Sequence, residues 1–153
     1  MISTKPFPWK CDRCNQRTVQ LGIAPYSLEI EYEGRILAIH IPDLETPRCE
    51  HCGEPVLDDA ANLRISREIR LQLGLLTPEQ IRLNRESIGQ TQDQLASHLG
   101  LPIATLTCWE SGHQIQQRAM DRLLRLYFAS PEARFVLSNE SKLHEPEQVA
   151  EIE

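Results

Sequence analysis

The residues with the clearest chemistry in this sequence are four cysteines arranged as two Cys-x-x-Cys pairs. Cys11 pairs with Cys14 and Cys49 with Cys52, and 34 residues separate the pairs. Two such pairs, brought together by folding, direct four sulfur atoms to one point and form a tetrahedral site for a soft divalent ion. Gly53 allows the tight backbone turn that the second pair needs. The pattern predicts one structural zinc ion per chain.

Other chemistries compete for the same cysteines. Disulfides are disfavoured because residues 1–10 contain no apolar run that could act as an export signal. A thioredoxin-like redox site needs only one Cys-x-x-Cys pair. An iron–sulfur cluster would use the same four ligands, and spacing alone does not distinguish it from zinc. Catalysis at the metal is not expected, because four cysteines leave no coordination position for water, and no nucleophile–base set is visible.

The charge of the chain is acidic but unevenly distributed. The 153 residues carry 16 basic and 22 acidic side chains, for a net charge of −6. Residues 61–137 are mildly positive, with nine basic and seven acidic groups, and residues 138–153 form an acidic tail. The strongly basic balance of many nucleic-acid-binding proteins is absent. No run of about 18 apolar residues is present, so we expect a soluble, cytoplasmic protein.

The segment between the cysteine pairs has the alternation of a β-hairpin. Apolar Tyr26, Leu28, Ile30 and Tyr32 alternate with polar Ser27, Glu29, Glu31 and Glu33. Glu33-Gly34 is a plausible turn, and residues 35–41 read as the returning strand. The glutamates are interpreted as a solvated face, with an acidic strip for a basic partner protein as the alternative. Because so small a core needs the metal, removal of the metal is expected to unfold residues 1–57.

Helices are predicted from residue 58 onward. A helix over residues 60–73 ends at Gly74, and capping patterns begin further helices at Thr77 and Thr91. Arg64, Arg67 and Arg70 recur along the first of these helices. They are expected to be solvated, with phosphate contact as the alternative.

The predicted fold class is α+β. It has four parts: a small zinc-ribbon-like β domain (1–57), a linker helix (58–76), an all-α helix-turn-helix domain (77–137) and the acidic tail (138–153). The third part follows from the helical patterns that begin at Thr77 and continue to Leu137, and the fourth from the one basic and five acidic residues of positions 138–153.

Residues 85–112 resemble the Xre/Cro-type repressor domain. The resemblance is carried by four motifs, which are Thr91-Gln92, Leu95-Ala96, Leu99-Gly100 and Trp109-Glu110-Ser111-Gly112. It implies that Arg85 and Glu110 form a structural clamp and that Gln92 contacts the DNA backbone. It also implies that the helix from Pro102 to Ser111 lies in the major groove.

The residues expected to face DNA are unusual for this domain. Ile103, Ala104 and Cys108 stand where base-contacting side chains usually occur, and none can form a bidentate contact. Thr105 and Thr107 remain as polar groups in the same helix. The wing, residues 113–117, has no lysine or arginine before Arg118, which is the expected phosphate contact. DNA binding is therefore expected to be weak, or to depend on shape and methyl contacts. Cys108 is interpreted as an ordinary small side chain, with a redox switch as the alternative.

The order of parts resembles the MqsA/YgiT-type antitoxins. The resemblance implies a homodimer whose zinc domain neutralises a small toxin, usually an RNA-cleaving enzyme, and whose helical domain represses its own operon. Surplus apolar residues over 120–137 fit a dimer surface. Two alternatives stay open: an interaction module whose helical domain no longer reads DNA, and a repressor without a toxin.

Overall fold

A computed structural model of the chain describes residues 5–139. A two-stranded antiparallel sheet precedes six helices, so the fold is α+β. The elements in chain order are β1 (Val19–Tyr32), β2 (Arg35–Cys49), α1 (Asp59–Leu73), α2 (Pro78–Ser87), α3 (Gln92–His98), α4 (Ile103–Ser111), α5 (Arg118–Ala129) and α6 (Pro131–Ser138). The predicted acidic tail lies outside the described residues from residue 140 onward. Within residues 5–139, no helix is long and apolar enough to cross a membrane.

The hairpin is longer than its alternating pattern predicted. Pairing runs from Tyr32 opposite Arg35 to Val19 opposite Cys49, with an irregularity between Ala24 and Tyr26. The predicted turn at Glu33 and Gly34 is confirmed, and both residues have positive φ, 52° and 75°. Because β2 ends at Cys49, the hairpin itself delivers the second cysteine pair.

The helix predicted as a linker packs on the hairpin. The shared core consists of Ile39, Ile41 and Leu44 from β2 with Ala61, Ile65 and Ile69 from α1. The Asp58 side chain caps α1 by accepting from the Ala61 N–H, and Gly74 ends the helix in the left-handed conformation at φ 69°. The apolar face of the strands is therefore covered by a helix from the next part of the chain.

The interpretation of the α1 arginines as a solvated stripe is wrong for Arg70. Its side chain is fully buried and donates to Gln116, to the Gln114 carbonyl and to Ser66. Arg67 is exposed, and Arg64 pairs with Asp43 at 3.0 Å. A three-residue spacing advances about 300° around a helix, so the three side chains diverge, and Arg70 points at the segment that follows α4.

The helices after α1 enclose a second core. Its buried members are Leu76, Ile81, Leu95, Ala96, Leu106, Trp109, Leu124 and Tyr127. Both predicted capping boxes, Thr77 with Gln80 and Thr91 with Gln94, are confirmed. On α6, Leu137 packs against this core, whereas Phe135 and Val136 are exposed.

Candidate metal centre and candidate nucleic-acid interface

The two cysteine pairs lie on turns of the same construction. The Asn15 N–H donates to the Cys11 carbonyl, and the Gly53 N–H donates to the Cys49 carbonyl, each at 2.8 Å. Both residues have positive φ, 60° at Asn15 and 75° at Gly53. Sequence reasoning identified Gly53 and missed Asn15, although asparagine is enriched in this conformation.

The four sulfur atoms have the spacing of a tetrahedral metal site. Cys11 Sγ lies 3.7 Å from Cys52 Sγ, and Cys14 Sγ lies 3.6 Å from Cys49 Sγ. All four lie within 4.8 Å of one another. A tetrahedral ion with metal–sulfur distances of about 2.3 Å requires sulfur–sulfur edges of about 3.8 Å. The predicted cluster is therefore present, and it could hold a metal ion.

A hydroxyl next to the cluster favours the ligating form of one cysteine. Thr18 Oγ1 donates to Cys49 Sγ at 3.2 Å. This hydrogen bond lowers the pKa of Cys49 to about 6, with help from the backbone N–H groups of Cys52 and His51. A hydroxyl that donates to Cys49 Sγ favours the thiolate, which is the form of cysteine that binds metals. Sequence reasoning missed Thr18, because only the strand pairing brings it to Cys49.

The predicted clamp between α2 and α4 is confirmed. Arg85 Nε donates to Glu110 Oε1 at 2.6 Å, and Arg85 Nη2 donates to Glu110 Oε2 at 3.0 Å. The two side chains are only 10% and 4% exposed. The pairing raises the pKa of Arg85, with the Glu110 hydrogen bond as the main cause. The pair therefore holds the end of α4 against α2 in a bidentate, charge-assisted contact.

Gln92 extends this clamp to the outer side of α4. Its Nε2 donates to Glu110 Oε2 at 2.8 Å, and its Oε1 accepts from Thr107 Oγ1 at 3.0 Å. The first residue of α3 is thus tied to the exposed side of α4. One N–H of the Gln92 amide stays available for another acceptor, because the amide nitrogen carries two.

The residues of α4 that were predicted to read DNA differ in how far their side chains are exposed. Ile103, Ala104 and Thr107 are exposed. Ile103 is the largest of these side chains, and 47% of its surface is accessible to solvent. Thr105 and Cys108 are half-buried. The part of this helix that faces solvent is therefore mainly apolar and uncharged.

Arg118 and the predicted wing lie at a junction between helices. Arg118 Nη2 donates to the Leu73 carbonyl at the end of α1, and its backbone N–H donates to Glu33 Oε1 at the hairpin turn. Within the wing, Gln116 is fully buried, and the Gln114 carbonyl accepts from Arg70. These contacts tie residues 114–118 to α1 and the hairpin.

Comparison of the sequence with protein families and with curated proteins identified no match. The cysteine cluster and the exposed side of α4 are therefore the features from which a function can be argued.

Proposed function

We propose that this protein is a zinc-containing, homodimeric DNA-binding regulator that acts as the antitoxin of a type II toxin–antitoxin pair. The observation that carries the proposal is the bonded chain Arg85–Glu110–Gln92–Thr107. Its hydrogen bonds connect α2, the start of α3 and the outer side of α4. A helix that enters a groove of DNA must be held in this way, with its outer side free and a neighbouring helix start near the backbone.

We propose zinc as the metal held by the cysteine cluster, because thiolate ligands suit zinc. A single ion lies at the centre of four thiolates and needs them close together, as the 3.6 and 3.7 Å sulfur distances allow. A multinuclear iron–sulfur cluster would separate its four thiolates further, because several iron and sulfide atoms lie between them. The role of the zinc is structural, since four cysteines complete its coordination.

The DNA contact proposed for α4 relies on shape and methyl groups. Ile103, Ala104 and the Thr107 methyl can contact thymine methyls in the major groove, and Gln92 can donate to a phosphate. Because the exposed side of α4 carries no charge, we expect weak binding with a shallow salt dependence.

The toxin-binding part of the proposal uses the hairpin. Glu29 and Glu31 are exposed on the strand surface opposite the α1 contact. Two carboxylates on the same face of a strand complement a basic surface on a partner protein. An enzyme that binds RNA is expected to carry such a basic surface. The choice of a toxin as the partner rests on the resemblance to antitoxins.

A second candidate is an interaction module that does not read DNA. The observation that favours it is Ile103, a large apolar side chain that is 47% exposed at the start of α4. Such a helix suits a protein partner as well as a DNA groove.

Titration of labelled duplex DNA from upstream of the gene tests the DNA-binding part. Ile103→Glu places a carboxylate against the DNA and should weaken binding by about tenfold or more. Leu83→Glu is the matched control, because Leu83 is equally apolar and exposed on α2. Absence of binding at every salt concentration would favour the interaction module, and equal effects of both variants would contradict the role of α4.

Co-expression with the protein encoded next to this gene tests the antitoxin part. The chain should restore growth that the neighbouring protein stops, and the double change Glu29→Lys with Glu31→Lys should abolish the rescue. Glu79→Lys, an exposed carboxylate on α2, should leave rescue intact. Failure of the unchanged chain to rescue growth would refute the antitoxin assignment and leave the DNA-binding proposal standing.

A further inference from the structure

We propose that the segment before the first cysteine pair forms a binding site for single-stranded nucleic acid. This segment bounds a groove of about 580 Å³, lined by Lys5, Phe7, Trp9, Lys10 and Arg17 together with two prolines. The site goes beyond the proposed function, since it uses other residues than α4 and another form of nucleic acid.

Two stacked aromatic rings form one wall of the groove. The rings of Phe7 and Trp9 lie 4.5 Å apart between centroids and are inclined by 25°. Trp9 exchanges backbone hydrogen bonds with Val19 at 2.9 and 3.0 Å, and its indole N–H donates to the Lys5 carbonyl at 2.9 Å. Phe7 is the outer ring and is 38% exposed. The wall is therefore anchored to the sheet and offers an aromatic ring to a ligand.

Three cations surround this wall. Residues 5–17 hold four of the six basic residues in the first sixty positions and only one acidic residue. Arg13 is engaged by Glu54 at 2.6 Å. Within residues 5–139, Lys5, Lys10 and Arg17 form no ion pair, and no carboxylate lines the groove. In a chain of net charge −6, this is a local concentration of unpaired positive charge.

An aromatic face beside unpaired cations suits a ligand that has both a flat ring and a phosphate. Bases stack on aromatic side chains while lysine and arginine follow the backbone, which is the general mode of single-strand binding. A base in a duplex is already stacked on both faces by its neighbours. An isolated phosphate would use the cations without the rings. The combination therefore favours a single strand, bound without strong sequence preference.

Fluorescence titration of the full-length, metal-loaded chain with oligothymidylate of about eight nucleotides tests the proposal. Binding should quench the emission of Trp9, while buried Trp109 provides a constant background. With three phosphate contacts, a plot of the logarithm of the binding constant against the logarithm of the salt concentration should have a slope of about −2. Phe7→Ala should weaken binding by about tenfold, and Arg17→Gln should reduce the slope by about 0.7.

Matched variants separate this site from the rest of the surface. Arg35→Gln removes an exposed arginine at the other end of the hairpin and should change neither the affinity for the oligomer nor its salt dependence. Phe7→Leu keeps an apolar side chain without the ring and should behave like Phe7→Ala. Ile103→Glu should weaken the binding of duplex DNA and leave the binding of oligothymidylate unchanged. The single-strand site and the proposed function of α4 can therefore fail independently of each other.

Four results would overturn the proposal. The first is that oligothymidylate does not bind at low salt, and the second is that Arg17→Gln and Arg35→Gln give the same salt slope. The third is that duplex DNA competes as strongly as single-stranded DNA, and the fourth is that thymidine monophosphate binds as tightly as the oligomer. The metal content of every variant shows whether the cysteine cluster is intact, and Phe7→Leu preserves the test if Phe7→Ala fails to fold.

Discussion

At the level of single residues, Glu110 connects three helices. Its two carboxylate oxygens accept from Arg85 on α2 and from Gln92 on α3, and its side chain is almost completely buried. A buried carboxylate is stable only when its hydrogen bonds and its counter-charge are in place. The resemblance to the Xre/Cro-type domain implied the Arg85 contact, whereas the link to Thr107 through Gln92 came from the packing of α3 against α4.

Loss of Arg85 should therefore destabilise the protein strongly. Arg85→Ala leaves Glu110 buried without a counter-charge and should lower the free energy of unfolding by about 3 kcal/mol. Arg82→Ala, an exposed neighbour on the same helix, should cost less than about 0.5 kcal/mol. Chemical denaturation checks both values. Adding Glu110→Ala to Arg85→Ala should recover part of the loss, and strict additivity of the two changes would contradict a direct pair.

At the level of elements, residues 5–73 contain two separate apolar clusters. One surrounds the metal centre and consists of Val19, Cys11 and Cys49, with Trp9 and Cys14 packed on it. The other lies between the hairpin and α1 and contains six buried aliphatic residues. Only the first cluster depends directly on the metal. The hairpin beyond it is covered by a helix and has its own apolar core.

Metal removal should therefore unfold a shorter segment than residues 1–57, which is the segment that the sequence analysis expected to unfold. With a chelator, backbone amide exchange should accelerate at residues 9–19 and 48–55, because their turns close around the cysteines. Residues 36–46 and α1 should stay protected, since Ile39, Ile41 and Leu44 remain buried against the helix. Simultaneous loss of protection over the whole hairpin would show that the metal stabilises both clusters.

At the level of the whole molecule, a buried polar network joins the hairpin, α1 and α5. Gln116 accepts from Arg70 Nε at 3.2 Å and donates to the Leu76 carbonyl at 2.8 Å and to Asp121 at 3.1 Å. The Tyr32 hydroxyl donates to the Gln116 carbonyl at 2.9 Å. Burial lowers the pKa of Arg70, and its acceptors are neutral oxygens of Gln116, Gln114 and Ser66.

Removal of Arg70 should separate the two halves. Arg70→Ala leaves the buried Gln116 side-chain oxygen and the part-buried Gln114 carbonyl without this donor and should cost about 3 kcal/mol. The hairpin with α1 should then unfold at a lower denaturant concentration than the remaining helices. Circular dichroism and the fluorescence of Trp109, recorded in a Trp9→Phe background, should then no longer give one transition. Arg67→Ala, an exposed residue on the same helix, is the control. A single transition in Arg70→Ala would show that the apolar contacts alone couple the halves.

The proposed homodimer should depend on the exposed apolar side of α5 and α6. Phe135 is 69% exposed, and Val136 and Leu126 also face solvent in the single chain. If a second copy covers this surface, Phe135→Glu should convert the dimer to a monomer. Sedimentation at a protein concentration on the order of tens of micromolar checks this. Leu83→Glu should leave the dimer intact. A monomeric unchanged chain would refute the dimer, and a dimeric Phe135→Glu variant would assign it to another surface.

The sequence alone determined the features whose information is local. The two Cys-x-x-Cys pairs, both capping boxes, the turn at Glu33-Gly34 and the helix end at Gly74 depend on residues at most a few positions apart. The ion pair of Arg85 with Glu110 is a longer-range contact that the motif resemblance supplied. In each of these cases the residue types leave few alternative conformations or partners.

The tertiary structure decided what depends on distant contacts. It buried Arg70, which its spacing had assigned to a solvated stripe, and it placed Arg118 at the end of α1. It also packed the predicted linker on the hairpin and brought Thr18 to Cys49. A polar side chain carries no local signal of whether it will be solvated or will satisfy a buried carbonyl. That choice depends on which elements meet when the apolar faces of the hairpin, α1 and α5 are covered.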